Sequence, residues 1–348
     1  MKKLMMFFAA LMIVFSCSKE EVIENVEPGL ESMLYLSLSP DSNWPGEVTS
    51  TRATGDGHGN QAFDNNIQTL EVFVFRVNQG YPDHGILDGY RKFTGEELGN
   101  LTNLEVQTTT GKKIIYAVAN SHRANWKGVN TLEIFQAQMA SLKDEDVKNF
   151  MMIGSTEAQL QLASTVSFTL RRLVARIKLN SVKTSFAGGP YEGLALEDPK
   201  VYLINVQASK FIYNGVGQNF SILNNRKYVE SDSQTGIMTG MIADVFAAPI
   251  DDDGYSVPHY FYCYENNLET ESGGNRFTRL VIEGKLNGMT YYYPIPIKGL
   301  ERNSCYSVDV TIKRPGSLDP NKDVEKGTLL ASMTVLDWDV KDESNVEF

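Results

Sequence analysis

Four histidines and three cysteines in 348 residues leave little material for a Cys/His metal site or for imidazole acid–base chemistry. Positive charge is also scarce. Lys plus Arg number 32 against 43 Asp plus Glu, a formal net charge of −11. A surface of that sign repels phosphates and argues against a nucleic-acid partner. The phosphate-binding Gly-rich loop, the Gly-x-Ser-x-Gly elbow and the His-Glu-x-x-His pair are all missing from the sequence. No enzymatic activity and no cofactor are therefore expected. What is present is ordinary globular material, 42% hydrophobic and 10% aromatic, in a length that suggests two domains of roughly 150 residues each.

The one long apolar run sits at the start. Lys2 and Lys3 precede residues 4–15, all apolar, which is too short for the ~20 residues of a membrane-spanning helix and has the build of a secretory signal. Ser16 and Cys17 follow directly, and the setting resembles a lipobox, with Phe15 bulkier than is usual there. Ser18-Lys19-Glu20-Glu21 resembles the signal that sends lipoproteins to the outer surface of Bacteroidetes cells. Residues 1–17 are thus expected to be a lipoprotein signal peptide ending on a lipidated Cys17, which places the precursor at the cell outer membrane. The other reading is an ordinary signal peptide with an incidental cysteine.

Beyond the signal the chain reads as β. Residues 33–38 alternate, with Leu34, Leu36 and Leu38 on one face and Met33, Tyr35 and Ser37 on the other. Residues 70–75, interrupted only by Glu71, and residues 114–119 are nearly continuous apolar runs, as expected of central strands, and residues 166–170, 173–179, 201–206 and 280–282 continue the series. Tyr306, Val308, Val310 and Ile312 face one way while Ser307, Asp309 and Thr311 face the other. Pro294 and Pro296 beside Tyr291, Tyr292 and Tyr293 predict an edge strand, because neither proline can donate a ladder hydrogen bond. One stretch differs: Leu132, Phe135, Met139 and Leu142 recur at helical spacing and predict an amphipathic helix over residues 131–144. The fold class is mainly β, in antiparallel sandwiches with one short helix, and the division falls near Leu170 and Arg171. Cys263 and Cys305 lie in strand-like segments, where a disulfide and two buried thiols are both open readings.

Six short segments, in order along the chain, resemble the fimbrillin family, the subunits of Bacteroidales-type (type V) pili. Residues 67–75 are similar to that family's first strand after its processing site, and residues 111–120 to its segment ending in Ala-Asn. Met151-Met152-Ile153-Gly154 and Leu170-Arg171-Arg172-Leu173-Val174-Ala175-Arg176-Ile177 resemble two further segments. Phe261-Tyr262-Cys263-Tyr264-Glu265-Asn266 and Arg302-Asn303-Ser304-Cys305-Tyr306 resemble a last pair. The resemblance implies two transthyretin-like β-sandwich domains, here residues 53–170 and 171–348, the second carrying a C-terminal donor-strand segment. It also implies polymerisation: an arginine-specific protease removes an N-terminal strand, and a neighbouring subunit's strand replaces it.

Both parts can be placed on this sequence. The removable strand is residues 33–38, with Leu34, Leu36 and Leu38 as its plugs. Arg52-Ala53 follows a polar, turn-rich stretch and is the processing site the resemblance points to, so that residues 18–52 form a propeptide. A plain flexible lipoprotein tether is the other reading of this stretch. The donor candidate is residues 328–340, where Leu329, Ala331, Met333 and Val335 alternate ahead of Trp338. Residues 316–323 before it resemble the family's hinge. The competing reading makes this segment the closing strand of its own domain.

The partners expected are other copies of this chain or related fimbrial subunits, the protease, and the outer membrane through the lipid. The final location is a surface fimbrium. A surface lipoprotein adhesin or glycan-binding module, as tip or anchor, is the alternative, since Tyr260, Tyr262, Tyr264 and the Tyr291–Tyr293 cluster could stack on sugars. Strand aromatics packing across a sheet explain the same residues. Asp251-Asp252-Asp253-Gly254 lacks the ligand spacing of a calcium loop and reads as a solvated turn.

Overall fold

The computed structural model describes residues 26–40, 66–213, 222–223, 240–272, 274–325, 327–337 and 344–347. In chain order the first half supplies β1 (Glu31–Pro40), β2 (Thr69–Arg76), β3 (Leu87–Thr94), β4 (Leu104–Thr109), β5 (Gly111–Ala119), β6 (Met139–Ser141), β7 (Met152–Leu160) and β8 (Ala163–Arg172). Next come β9 (Val174–Thr184), β10 (Glu197–Ile204), β11 (Val206–Gln207), β12 (Ser209–Phe211), β13 (Ile222–Leu223), β14 (Ala243–Val245) and β15 (His259–Tyr264). The last are β16 (Thr278–Leu286), β17 (Met289–Ile297), β18 (Ser304–Ile312), β19 (Leu329–Asp337) and β20 (Ser344–Glu347). Among the described residues there is one α-helix, α1 (Leu132–Gln136).

The first sheet runs β3-β2-β5-β7-β8-β1-β4 and doubles back on itself. β7 and β8 pair at Met152↔Arg172 and Ile153↔Arg171, while the rest of β8 pairs with β1. The turn-over lies at Gly154, where a Cβ would collide with the Thr169 carbonyl oxygen and the Phe168 ring. Folding over in this way makes a sandwich. The inward side chains of β1 and β4 meet Leu70, Val72 and Val74 of β2 and Ile115, Ala117 and Ala119 of β5 in one apolar core. The other face of β2 and β5 carries Phe73, Phe75, Tyr116 and Val118 into a larger core that continues through the second half. Burial on both faces is why these two strands read as nearly continuous apolar runs, the exception in β2 being Glu71, which is buried and paired with Lys92 at 3.2 Å.

The second half stacks a four-stranded sheet, β14-β10-β16-β17, against a five-stranded one, β15-β9-β18-β19-β20. The alternation of β18 is as the sequence predicts: Tyr306, Val308, Val310 and Ile312 are buried and Asp309 is exposed. β17 lies at the end of its sheet, as its prolines require. Tyr292 N–H donates to the Ser317 carbonyl at 2.8 Å, away from β16, so its alternate neighbours Pro294 and Pro296 also aim their nitrogens outward. The inward ladder to β16 is left whole, and the outward edge lacks two of the donors a further strand would need.

The expected helix over 131–144 is much shorter. Thr131 caps α1 by accepting from the Ile134 N–H, and the helix ends at Ala137. The chain then forms β6, paired with β12 through Ala140↔Lys210 and Met139↔Phe211, before one 3-10 turn at Leu142–Asp144. Backbone pairing with the second half outcompetes continued helix. The helical spacing arose because two separate short elements each bury one apolar residue, Phe135 and Leu142, while Met139 faces out.

Sheet register also decides the cysteine question. Cys263 stands opposite Ala175 and Cys305 opposite Arg176, on either side of β9. Successive residues of β9 face opposite ways, so the two thiols project from opposite faces, are buried and form no disulfide with each other. Burial pushes the Cys263 thiol up to about 12, which makes it inert. Tyr260, Tyr262 and Tyr264 are likewise buried, as packing groups. At the acidic run, the Asp251 carboxylate accepts from the N–H groups of Asp253 and Gly254, a local turn.

The two halves are joined by more than apolar contact. Glu145 is buried beside the junction, accepting from the Tyr264 hydroxyl at 2.9 Å and the Met151 N–H at 3.0 Å. Asn303 accepts from the Arg172 N–H at 2.9 Å and donates its own N–H to the Val174 carbonyl. Burial raises Glu145 from 4.5 to about 7, against the pull of its two hydrogen bonds. The folded chain therefore favours protonated Glu145, and the cost of ionising it grows as pH rises from about 4.5 to about 7. Replacing it with glutamine removes that cost. Urea midpoints of Glu145→Gln and the parent should lie closest at the acid end of this window, with the parent falling behind as pH approaches 7. A parent that gains on the variant over the same window would contradict this assignment.

Candidate assembly site

β1 is the unusual strand of the molecule. It is the first described strand in the chain, yet it lies inside a sheet, antiparallel to β4 on one side and parallel to β8 on the other. Leu34 sits opposite Val106 and Ser164, Leu36 opposite Leu104 and Val166, and Leu38 opposite Phe168. Their exposures are 0%, 0% and 3%, so all three are complete core residues. Burying each is worth on the order of 1.5–3 kcal/mol, a sum comparable to the stability of a typical domain.

Backbone bonds and apolar side chains hold the strand, with one side-chain hydrogen bond near its start, from Ser32 Oγ to the Gln161 carbonyl. Between Glu31 and Pro40 there is no charged residue. The Met33 N–H donates to the Leu162 carbonyl at 3.0 Å, and the Leu38 N–H to the Leu101 carbonyl at 2.8 Å. At the entry, Thr110 Oγ1 accepts from the Leu30 N–H at 3.0 Å and donates to the Glu27 carbonyl at 2.6 Å. Ladder bonds are indifferent to sequence, and three alternate pockets ask only for apolar side chains. Another strand with the same alternation meets both requirements.

The candidate donor lies in a different sheet, at home. β19 is antiparallel to both β18 and β20. Ala331 and Met333 are buried, Leu329 and Val335 are half-buried, and Leu330 on the other face is exposed. The strand is held less completely than β1, whose three leucines are sealed. Leu34, Leu36 and Leu38 are thus brought together in one core, and Leu329, Ala331, Met333 and Val335 on one strand of another. Cys17, Arg52, Ala53 and Trp338 lie outside the described residues.

A set of polar residues with no signal in the sequence closes the same sandwich. β3 and β4 are the two ends of the doubled-back sheet, and the Asp88 carboxylate bridges them. It accepts from Thr108 Oγ1 at 2.7 Å and from Thr109 N–H at 2.9 Å and Oγ1 at 2.7 Å, all on β4. Arg76 Nε on β2 and Lys113 Nζ on β5 bind it at 2.7 and 3.0 Å. These hydrogen bonds outweigh burial and hold the carboxyl well below the usual range. An Asp-Gly pair in a strand-like run is the one trace of it in the sequence, and such pairs more often mark turns.

The leucine pockets are open to a direct check. Leu36→Ala should destabilise the precursor by about 2–5 kcal/mol in urea unfolding, since it leaves a cavity in a sealed core. Ser37→Ala, on the opposite face of β1, should change it by no more than about 0.5 kcal/mol.

The geometry has relatives. A family model described as major fimbrial subunit protein (FimA) matches residues 35–179, from within β1 to within β9. The major fimbrium subunit FimC of Porphyromonas gingivalis is 24% identical over 291 residues, covering 79% of this chain and 58% of the relative. The match thus takes in little more than half the length of that curated relative. The fold is similar to a fimbrilin (FimA) of Porphyromonas gingivalis W83, with a TM-score of 0.58 at 16% identity over 90% of this chain and 98% of the other. It is also similar to a candidate cell adhesion protein of Bacteroides eggerthii, with a TM-score of 0.61 at 20% identity, covering 90% and 98% of the two chains. Over residues 35–179, then, the chain matches the model of the FimA-type fimbrial subunits, and its β1-filled sandwich has the fold of a solved fimbrilin.

Proposed function

We propose that this chain is a structural subunit of a surface fimbria, secreted as a lipoprotein precursor lipidated on Cys17, cleaved between Arg52 and Ala53 and polymerised by strand donation. The observation that carries the reading is β1 itself. Its apolar face completes the interior of a sandwich, yet it precedes Arg52 in the chain and β2 follows it. A cut at Arg52 breaks the covalent tie between β1 and everything it supports.

Loss of β1 leaves unpaired N–H and C=O groups on β4 and β8 above an apolar trench. The segment Leu329, Ala331, Met333, Val335 and Trp338 of a second copy supplies a matching alternation and fills it. Donor and slot lie on different sheets, so each contact is heterologous and leaves a free donor at one end and a free slot at the other. Repetition gives an open filament. The two halves of the chain, divided near residues 170 and 171, act in this reading as two transthyretin-like domains, the first with the slot and the second with the donor.

A solved tip fimbrial protein, Mfa3 of Porphyromonas gingivalis, has a related fold at a TM-score of 0.51 and 12% identity, so fold alone does not separate stalk from tip. The C-terminal alternating strand favours the stalk. An adhesin or glycan-binding role rests on the tyrosine clusters, most of which are packed inward.

Treatment of the purified precursor with an arginine-specific protease should give a cut after Arg52 and a ladder of detergent-resistant oligomers. A chain that stays monomeric after this cut overturns the stalk reading. Deleting residues 328–348 should abolish the ladder, and normal polymerisation of that truncation overturns the donor assignment.

A further inference from the structure

β4 is the last strand of its sheet, and its ladder partner is β1. When β1 leaves, the interstrand backbone bonds of β4 leave with it. A strand with no ladder has little reason to stay extended and in place, because ordering each of its residues costs about 1–2 kcal/mol of backbone entropy. Yet β4 is one wall of the slot, and an incoming strand needs its N–H and C=O groups already in line.

What remains beside β4 is β3, and the two strands meet across a seam tied by side chains. Asp88 of β3 holds Thr108 and Thr109 by three hydrogen bonds, and its own side chain is only 1% exposed. Arg76 and Lys113 anchor the carboxylate from β2 and β5, strands that belong to the opposite layer and do not touch the slot's ladder. Further along the seam Arg91 donates to the Glu105 carbonyl at 2.7 Å. Close approach is built in: a Cβ at Gly89 would stand 2.6 Å from the Gln107 carbonyl oxygen.

We propose that Asp88, with Thr108 and Thr109, is a positioning clamp that keeps β4 aligned as a wall of the acceptor slot while the slot is empty. The inference rests on the strand-donation reading for its use, though not for its geometry. In the precursor the β1 ladder fixes β4 as well, so the clamp is redundant there. After cleavage it is the hold that remains. A residue of purely structural importance would matter equally in both states; this one matters chiefly in the second.

The test compares full-length precursor with protease-processed chain for the parent, Thr108→Val/Thr109→Val and Asp88→Asn. The double variant removes the two hydroxyl bonds to β4, leaving the Thr109 N–H bond in place, and keeps Asp88 paired to Arg76 and Lys113, so it creates no orphaned buried charge. Two readouts are needed: amide hydrogen exchange of residues 104–109, and the rate of ladder formation. The expected result is near-parental exchange and melting in the precursor. In the processed chain, exchange of residues 104–109 rises and assembly slows by about tenfold or more, the scale of losing a charge-assisted hydrogen bond. Asp88→Asn also takes the carboxylate from buried Lys113, so it should weaken precursor and processed chain alike and serves as the control for charge loss. Equal losses of the double variant in precursor and processed chain overturn the clamp, and so does its unchanged exchange in both. If the processed parent itself fails to polymerise, it is strand donation that falls, and the exchange readout still decides the clamp on its own.

Discussion

The first half of this molecule depends on one contact, the insertion of β1 between β4 and β8 with Leu34, Leu36 and Leu38 driven into the core beneath. Without it the layer formed by β8, β1 and β4 has no middle, and the inner faces of β2 and β5 lose half of what they pack against. Strands that close a domain usually lie at its edge or are joined to it by short loops. This one is interior and is connected onward through the 28 residues between Pro40 and Thr69. Structure and chain connectivity are thereby separable, which is the physical prerequisite for a subunit that is made stable first and opened later.

The energetics are consistent with exchange and not with simple loss. A slot that forfeits three sealed leucines and two ladders forfeits on the order of a domain's whole stability, so an empty subunit is a high-energy species. Refilling by a strand of the same alternation recovers both contributions. In the proposed exchange β19 is the strand to leave its own sheet, since Leu329 and Val335 are only half-buried there, while the β17 edge lacks donors at Pro294 and Pro296. Hydrogen bonds at Glu145–Tyr264 and Arg172–Asn303 tie the first half of the chain to the second.

Much of this was legible in the residues. Alternation placed β1 and β18, nearly continuous apolar runs marked β2 and β5 as central strands, and two prolines located the edge at β17. The helix over 131–144 was overread because spacing alone cannot tell one helix from two short elements that each bury one side chain. Whether Cys263 and Cys305 could pair was not decidable from the sequence, since it turns on a one-residue offset across β9. Asp88 and Glu145 were invisible for a related reason: an acid's role depends on which distant strands reach it, and Thr108, Lys113 and Tyr264 are brought to them only by topology. Side chains facing a sheet write a local pattern; polar ties between sheets do not.

The central claim is that β1 is a placeholder displaced on assembly. The most direct measurement is the stoichiometry of residues 31–40 in washed, assembled filaments, obtained by quantitative mass spectrometry against a peptide from β16. The account predicts that the β1 peptide is absent while the β19 peptide is retained at one per subunit. Filaments that keep one β1 segment per subunit would contradict it, because the slot would then never have been open to a neighbour.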